Sequence, residues 1–164
     1  MRLSSLADYA VVMMTAAARH GTQAGLCPTS QQGFAARLNA TQLSEETGVP
    51  LPTAQKLVSR LAAAGLLESA RGTGGGFRLA RSPSAISLAD VIEAVEGRIA
   101  LTTCVDDTRH DCALDGHCAV KPHWGIVNEA VRGALAGVSL ARLATTTPVL
   151  NPAPRATTRA EVLA

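Results

Sequence analysis

Aromatic residues are nearly missing from this chain: Tyr9, Phe34, Phe77 and Trp124 are all there are in 164 residues. A core without them is built from alanine and aliphatic side chains. Alanine and leucine dominate here, and that balance favours packed helices. Long apolar runs are missing too. Ala10–Ala18 is bounded by Asp8 and by Arg19-His20, far short of the ~20 residues a membrane-spanning helix needs, and it does not read as a secretory leader. There is no nucleophile–base pair, phosphate-binding loop or substrate motif, so an enzyme or electron carrier finds no support. These absences leave a non-catalytic chain with no membrane partner, expected in the cytoplasm, where thiols stay reduced.

What is there is unevenly distributed. Residues 49–81 hold five basic side chains against one acidic, and residues 82–118 hold two basic against seven acidic. A basic segment beside an acidic one suggests a local polyanion-binding surface rather than a generally adhesive protein. The length allows one or two small domains. The patterning places boundaries at 1–82, 83–144 and a Thr-, Pro- and Ala-rich tail, 145–164, expected to be disordered.

Leu6, Tyr9, Ala10, Met13, Ala16 and Ala17 recur at helical spacing and predict a first helix over Ser4–Arg19. A polar loop with Cys27 is expected from His20 to Leu38. Asn39 with Gln42 three residues on reads as a capping box, and Gly48 as the stop of a short helix. Pro50 and Pro52 fit only the start of the next helix, which should end near Ala64 and Gly65. Strands over Leu66–Ala70 and Phe77–Arg81 would then flank a glycine-rich tip. Helix, turn, helix and a basic hairpin make a winged helix. Ser87 and Asp90 form a second capping box, opening a helix that stops at Gly97. Pro122–Ala136 predicts a further helix, with Trp124, Val127, Val131, Ala134, Leu135 and Val138 along one stripe. That stripe suits either a homodimer interface or a core face. The fold expected is mainly α with a small β-wing: a winged helix-turn-helix followed by a long C-terminal dimerisation helix.

In the second helix of the pair, Leu51, Ala54, Leu57, Val58 and Leu61 form the buried stripe, leaving Thr53, Gln55, Lys56, Ser59 and Arg60 outward. Gln bonds an adenine edge in two places, and Lys or Arg reaches guanine or phosphate in the major groove. Arg71, at the hairpin tip, suits a narrow minor groove, and Arg78 and Arg81 suit phosphates. Each basic residue alone is as well explained by a solvated surface. The combination points to double-stranded DNA, read by a dimer on a near-palindromic operator.

The remaining signal is C-x7-C-x5-C: Cys104, Cys112 and Cys118, with His110, His117 and His123 among or just after them. A polar loop has no packing reason to concentrate thiols. An iron–sulfur cluster or a zinc ion takes three cysteines plus one further ligand, and reversible thiol chemistry is the other reading. The fourth ligand stays open between His123, His110, His117 and a carboxylate from a partner subunit. Asp106, Asp107, Asp111 and Asp115 read as solvating charges, and Cys27 as incidental.

These features together resemble one family. Met1-Arg2-Leu3-Ser4, Asp8-Tyr9-Ala10, Leu43–Gly48, the wing Arg71–Phe77, Ile86–Ile92 and the three-cysteine loop followed by Trp124 are similar to the Rrf2 family of winged-helix transcription regulators, over about residues 1–144. Leu51–Leu57, Gly97–Thr102 and Ala134–Leu140 are most like the branch that regulates the SUF iron–sulfur assembly system. The resemblance implies a homodimeric repressor of assembly genes with one cluster per subunit, [2Fe–2S] favoured over [4Fe–4S]. Nitric-oxide-sensing relatives carry [4Fe–4S], and some take an aspartate from the partner's first helix; Asp8 stands at that position. Two departures are visible. The first gap is x7 where such members commonly have x5, and Lys121 stands where the biogenesis regulator has a histidine.

Overall fold

A computed structural model describes residues 3–24, 37–70, 75–106, 112, 114 and 116–145. Its architecture is mainly α with a two-stranded antiparallel wing, as the patterning predicts. The helices are α1 (Ser5–Ala24), α2 (Ala40–Thr47), α3 (Leu51–Ala63), α4 (Leu88–Glu96), α5 (Lys121–Ala136) and α6 (Leu140–Thr145). The strands are β1 (Leu67–Ala70) and β2 (Gly76–Leu79), with short 3-10 turns at Pro83–Ala85 and Thr103–Val105.

Local chemistry sets most of these boundaries. The Ser4 hydroxyl accepts the Ala7 N–H at 3.2 Å and opens α1. Asn39 and Gln42 complete a reciprocal capping box at α2, and Ser87 and Asp90 another at α4, each satisfying donors the first turn leaves orphaned. Pro52 sits in the first turn of α3, where its missing N–H costs nothing. The sequence expectation first fails at the end of α1, which continues through His20 to Ala24 instead of giving way to a loop. A tertiary bond supports this extension, for His20 Nε2 lies 2.6 Å from Glu46 Oε2 of α2. Leu38, assigned to the same loop, is buried and pairs with Phe77 through backbone bonds of 2.8 and 2.9 Å. It acts as a third, one-residue strand beside β2. Gly76 permits this, because a Cβ there would meet the Leu38 carbonyl oxygen at 2.5 Å. Cys27 and Phe34 lie outside the described residues, as do Arg71 and most of the wing tip.

The main core gathers Met13 and Met14 of α1, Leu43 of α2, Leu57 and Leu61 of α3, Leu66, Phe77, and Ile86, Val91, Val95 and Leu140 from beyond residue 82. It therefore runs straight across the boundary that composition suggests. Leu140 opens α6, a helix the sequence reading did not foresee. Its N–H donates to the Ile86 carbonyl at 2.9 Å, and Leu88 N–H donates to Val138 at 2.8 Å. The chain after α5 thus returns to the first half and packs on α1. A smaller cluster of Ala7, Ala89, Ile92 and Ile99 joins α1 and α4, with Leu135 of α5 against it.

Candidate nucleic-acid interface and cysteine loop

Helix α3 presents the surface the sequence assigns to DNA. Ala54, Leu57 and Leu61 are fully buried, which turns Gln55, Lys56, Ser59 and Arg60 outward, with Thr53 half-buried. These residues differ in their engagement. The Ser59 hydroxyl folds back to the Gln55 carbonyl at 3.0 Å. Arg60 Nη1 donates to the Val95 carbonyl of α4 at 2.7 Å, tying the two helices together. Gln55 and Lys56 are the long polar side chains on α3 that face solvent without such a tie. On the wing, Arg78 pairs with Glu68 directly across the hairpin, Nε and Nη2 both donating to Oε2 at 3.0 and 2.8 Å. Both are about half exposed, so the pair adds little to stability and leaves the guanidinium at the surface. Arg71 lies outside the described residues.

Cys104 sits in the 3-10 turn after α4, with its Sγ 3.1 Å from Thr102 Oγ1. Cys112 follows in the loop, and Cys118 ends it, its carbonyl accepting the Lys121 N–H that starts α5. All three are free thiols of intermediate burial. Among the described residues no group of three or more His, Cys, Asp or Glu side chains is gathered to hold a metal ion. The thiols therefore share one loop without converging in this conformation. His117 and His123 are exposed nearby, Asp8 is exposed in the first turn of α1, and Asp106 is half-buried. His110, Asp107, Asp111 and Asp115 lie outside the described residues.

The expected apolar stripe on α5 divides in two. Trp124, Val131 and Leu135 turn partly inward, whereas Val127 and Ala134 are exposed. Ile126, which the stripe omits, is 73% exposed. The best-buried residue on the helix is polar: Asn128, at 3% exposure. Its Oδ1 accepts the Leu101 N–H at 3.0 Å, and its Nδ2 donates to the Ile99 carbonyl at 2.9 Å. Asn128 stands four residues after Trp124 and three before Val131, so a polar residue within an otherwise apolar helical face was its only sequence signal. One turn further, Arg132 Nε and Nη2 donate to the two carboxylate oxygens of Glu93 in α4 at 2.9 and 3.1 Å. That bond holds the Glu93 carboxyl below its ordinary pKa, against the opposing effect of partial burial.

A helix-turn-helix with an outward polar face, a β-wing beside it and no membrane-spanning helix among the described residues define the class: a winged-helix DNA-binding transcriptional regulator. The chain belongs to the Rrf2 family, whose model, described as an iron-dependent transcriptional regulator, matches residues 3–146. It is 34% identical over 155 residues to the HTH-type transcriptional regulator IscR of Photorhabdus laumondii, covering 94% of this chain and 86% of that one. Identity to the IscR of Xenorhabdus nematophila is 33% over the same span and coverage. Among solved structures, CymR (YrzC), described as the global cysteine regulator of B. subtilis, superposes with a TM-score of 0.64 at 23% identity, covering 90% of this chain and 98% of that one. The IscR of T. potens superposes with a TM-score of 0.59 at 24% identity, covering 87% and 85%. These structural likenesses concern the fold. As a family member the chain is a regulator of transcription and not an enzyme.

Proposed function

We propose that this chain is an iron–sulfur-responsive repressor of cluster-assembly (suf-type) genes, acting as a homodimer on a near-palindromic operator in double-stranded DNA. The observation that carries the reading is the confinement of three free, half-buried thiols to the single loop between α4 and α5. In chemistry the donor set fits the group: cysteine thiolates hold iron–sulfur clusters, and histidine or another ligand completes the set. Cys104, Cys112 and Cys118 would hold it, with His123 or the partner subunit's Asp8 as the fourth ligand, and [2Fe–2S] is favoured over [4Fe–4S]. When bound, such a cluster supplies a redox-active group whose presence depends on iron and sulfide supply.

The chain's own residues perform the rest. Gln55, Lys56 and Thr53 would face the major groove, with Arg60 at the end of the same helix, while Arg78 of the wing strand β2 and Arg71, by its sequence assignment, would add contacts. Exposed apolar side chains on α5 (Ile126, Val127), on α1 (Tyr9, Val12) and just before it (Leu3) offer the surface a second copy would cover. Residues 1–82 would carry DNA recognition and 83–144 sensing and dimerisation.

Anaerobically purified protein should be brown, and the Cys104→Ala/Cys112→Ala/Cys118→Ala variant should lose the visible absorption. A colourless, zinc-loaded protein defeats the proposal. A second reading, a thiol-redox or nitric-oxide-responsive repressor, is supported by the same three free, half-buried thiols lying in one loop. Thiol titration of metal-free protein before and after mild oxidation separates the two: loss of two thiols as a disulfide favours the second.

A further inference from the structure

The last turn of α4 takes bonds from three separate parts of the chain. The Val95 carbonyl accepts Arg60 Nη1 from α3 at 2.7 Å. Glu93 accepts the Arg132 guanidinium from α5 at 2.9 and 3.1 Å, and the Ile99 N–H at 3.4 Å. Glu96 Oε1 accepts the Ser4 N–H from the start of the chain at 3.1 Å. Gly97 then turns the backbone with φ 88° and ψ −175°, a conformation open essentially to glycine alone. This aims residues 98–101 at α5, where Asn128 grips both the Ile99 carbonyl and the Leu101 N–H. Cys104 follows three residues later.

We propose that this junction is a relay between the cysteine loop and the recognition helix. Asn128 and Glu93 set the position of residues 99–101, the last turn of α4 carries that position, and Arg60 passes it to α3. Packed helices do not deform continuously, so a shift at one end moves the junction as a unit. Arg60 is then a positioning residue for the DNA-reading surface rather than one more contact on it. The inference deepens the proposed function and rests on the cysteine loop being the sensing element.

The test uses reduced, cluster-free, full-length protein and the rate at which each thiol reacts with a maleimide, resolved by peptide mass spectrometry. Arg60→Ala, a change at an exposed residue on α3, should speed reaction at Cys104 by about threefold or more. Arg60→Lys should restore most of the original rate, because a lysine still donates to the Val95 carbonyl. Ser59→Ala on the same helix should leave the rate unchanged. Conversely, Asn128→Ala should raise amide hydrogen exchange in the last turn of α3 as well as at Leu101. Should that variant fail to fold, Glu93→Gln takes its place. An unchanged Cys104 rate in Arg60→Ala overturns the relay, as does an equal rise at Cys104, Cys112 and Cys118, which reports general unfolding. Exchange changes confined to residues 99–104 overturn it also. No cluster enters the assay, so a colourless native protein would defeat the cluster reading while leaving this result intact.

Discussion

Helices α1 to α3 and the two wing strands are held together chiefly by buried apolar side chains and local caps; residues 97–101 and α5 are joined chiefly by polar bonds, and α5 leaves Ile126 and Val127 exposed. In the first region Met13, Leu43, Leu57 and Leu61 are essentially inaccessible, and polar side chains act at its edges, as caps or as the His20–Glu46 pair. In the second, the most buried side chain on α5 is an asparagine, and Ile126 stands in solvent. Apolar burial is non-directional and tolerates little motion once packed. Hydrogen-bonded anchors are directional, and each contributes only about 0.5–1.5 kcal/mol net, so a segment held by a few of them can exchange one arrangement for another. The contrast fits a rigid reader joined to an adjustable loop.

The sharpest way to break that contrast is to cut each region at its centre. Leu57→Ala should cost about 2–5 kcal/mol, the usual range for a large-to-small change in a packed core, as read by urea unfolding. Asn128→Ala should cost about 2–4 kcal/mol, because it leaves the Ile99 carbonyl and the Leu101 N–H without partners. Asn128→Leu should do no better, since volume is not what that site needs. If leucine restores stability, the second region is an apolar core after all.

Acid separates the regions more gently. The Arg132 hydrogen bond, seconded by the Ile99 N–H, keeps the Glu93 carboxyl below its ordinary pKa of 4.5. A carboxyl depressed in the folded state contributes stability above its unfolded pKa and loses it as pH falls through the folded one. Glu93→Gln should therefore flatten the decline in urea midpoint below pH 4.5 and weaken the protein slightly above it. An unaltered pH slope would show that the bridge is not coupled to folding. The smallest effect is expected on the wing, where Glu68→Ala should change stability by no more than about 1 kcal/mol, as exposed ion pairs do. A larger loss would mean the hairpin depends on that pair.

The sequence was most legible where a signal acts within a few residues. Asn39 with Gln42, Ser87 with Asp90, Gly48 and Gly97, and Pro52 at a helix start all appear in the structure where the pattern places them. It was least legible where the partner lies far along the chain. Nothing near His20 announces Glu46, so α1 was expected to end too soon. Leu38 looked like loop because its partner, Phe77, is thirty-nine residues away. Asn128 looked like an interruption in an apolar face until Ile99 and Leu101 came against it. Helix α6 is too short for periodicity to reveal, and packing on Ile86 and α1 creates it. At the candidate site, the residue types in Cys104, Cys112 and Cys118 were legible, but their half-buried and ungathered state was not.

The sequence by itself determined the helices of the reader, the wing and the placing of three thiols in one loop, because caps, glycines and apolar period act locally. Only the tertiary structure decided what those thiols are attached to. It ties Arg60 to Val95 and Arg132 to Glu93, closes Asn128 over residues 99–101, and brings the chain after α5 back to the first half. The side-chain pairings among these span twenty-seven to thirty-nine residues, and no local propensity selects one distant partner over another; packing of the helices does.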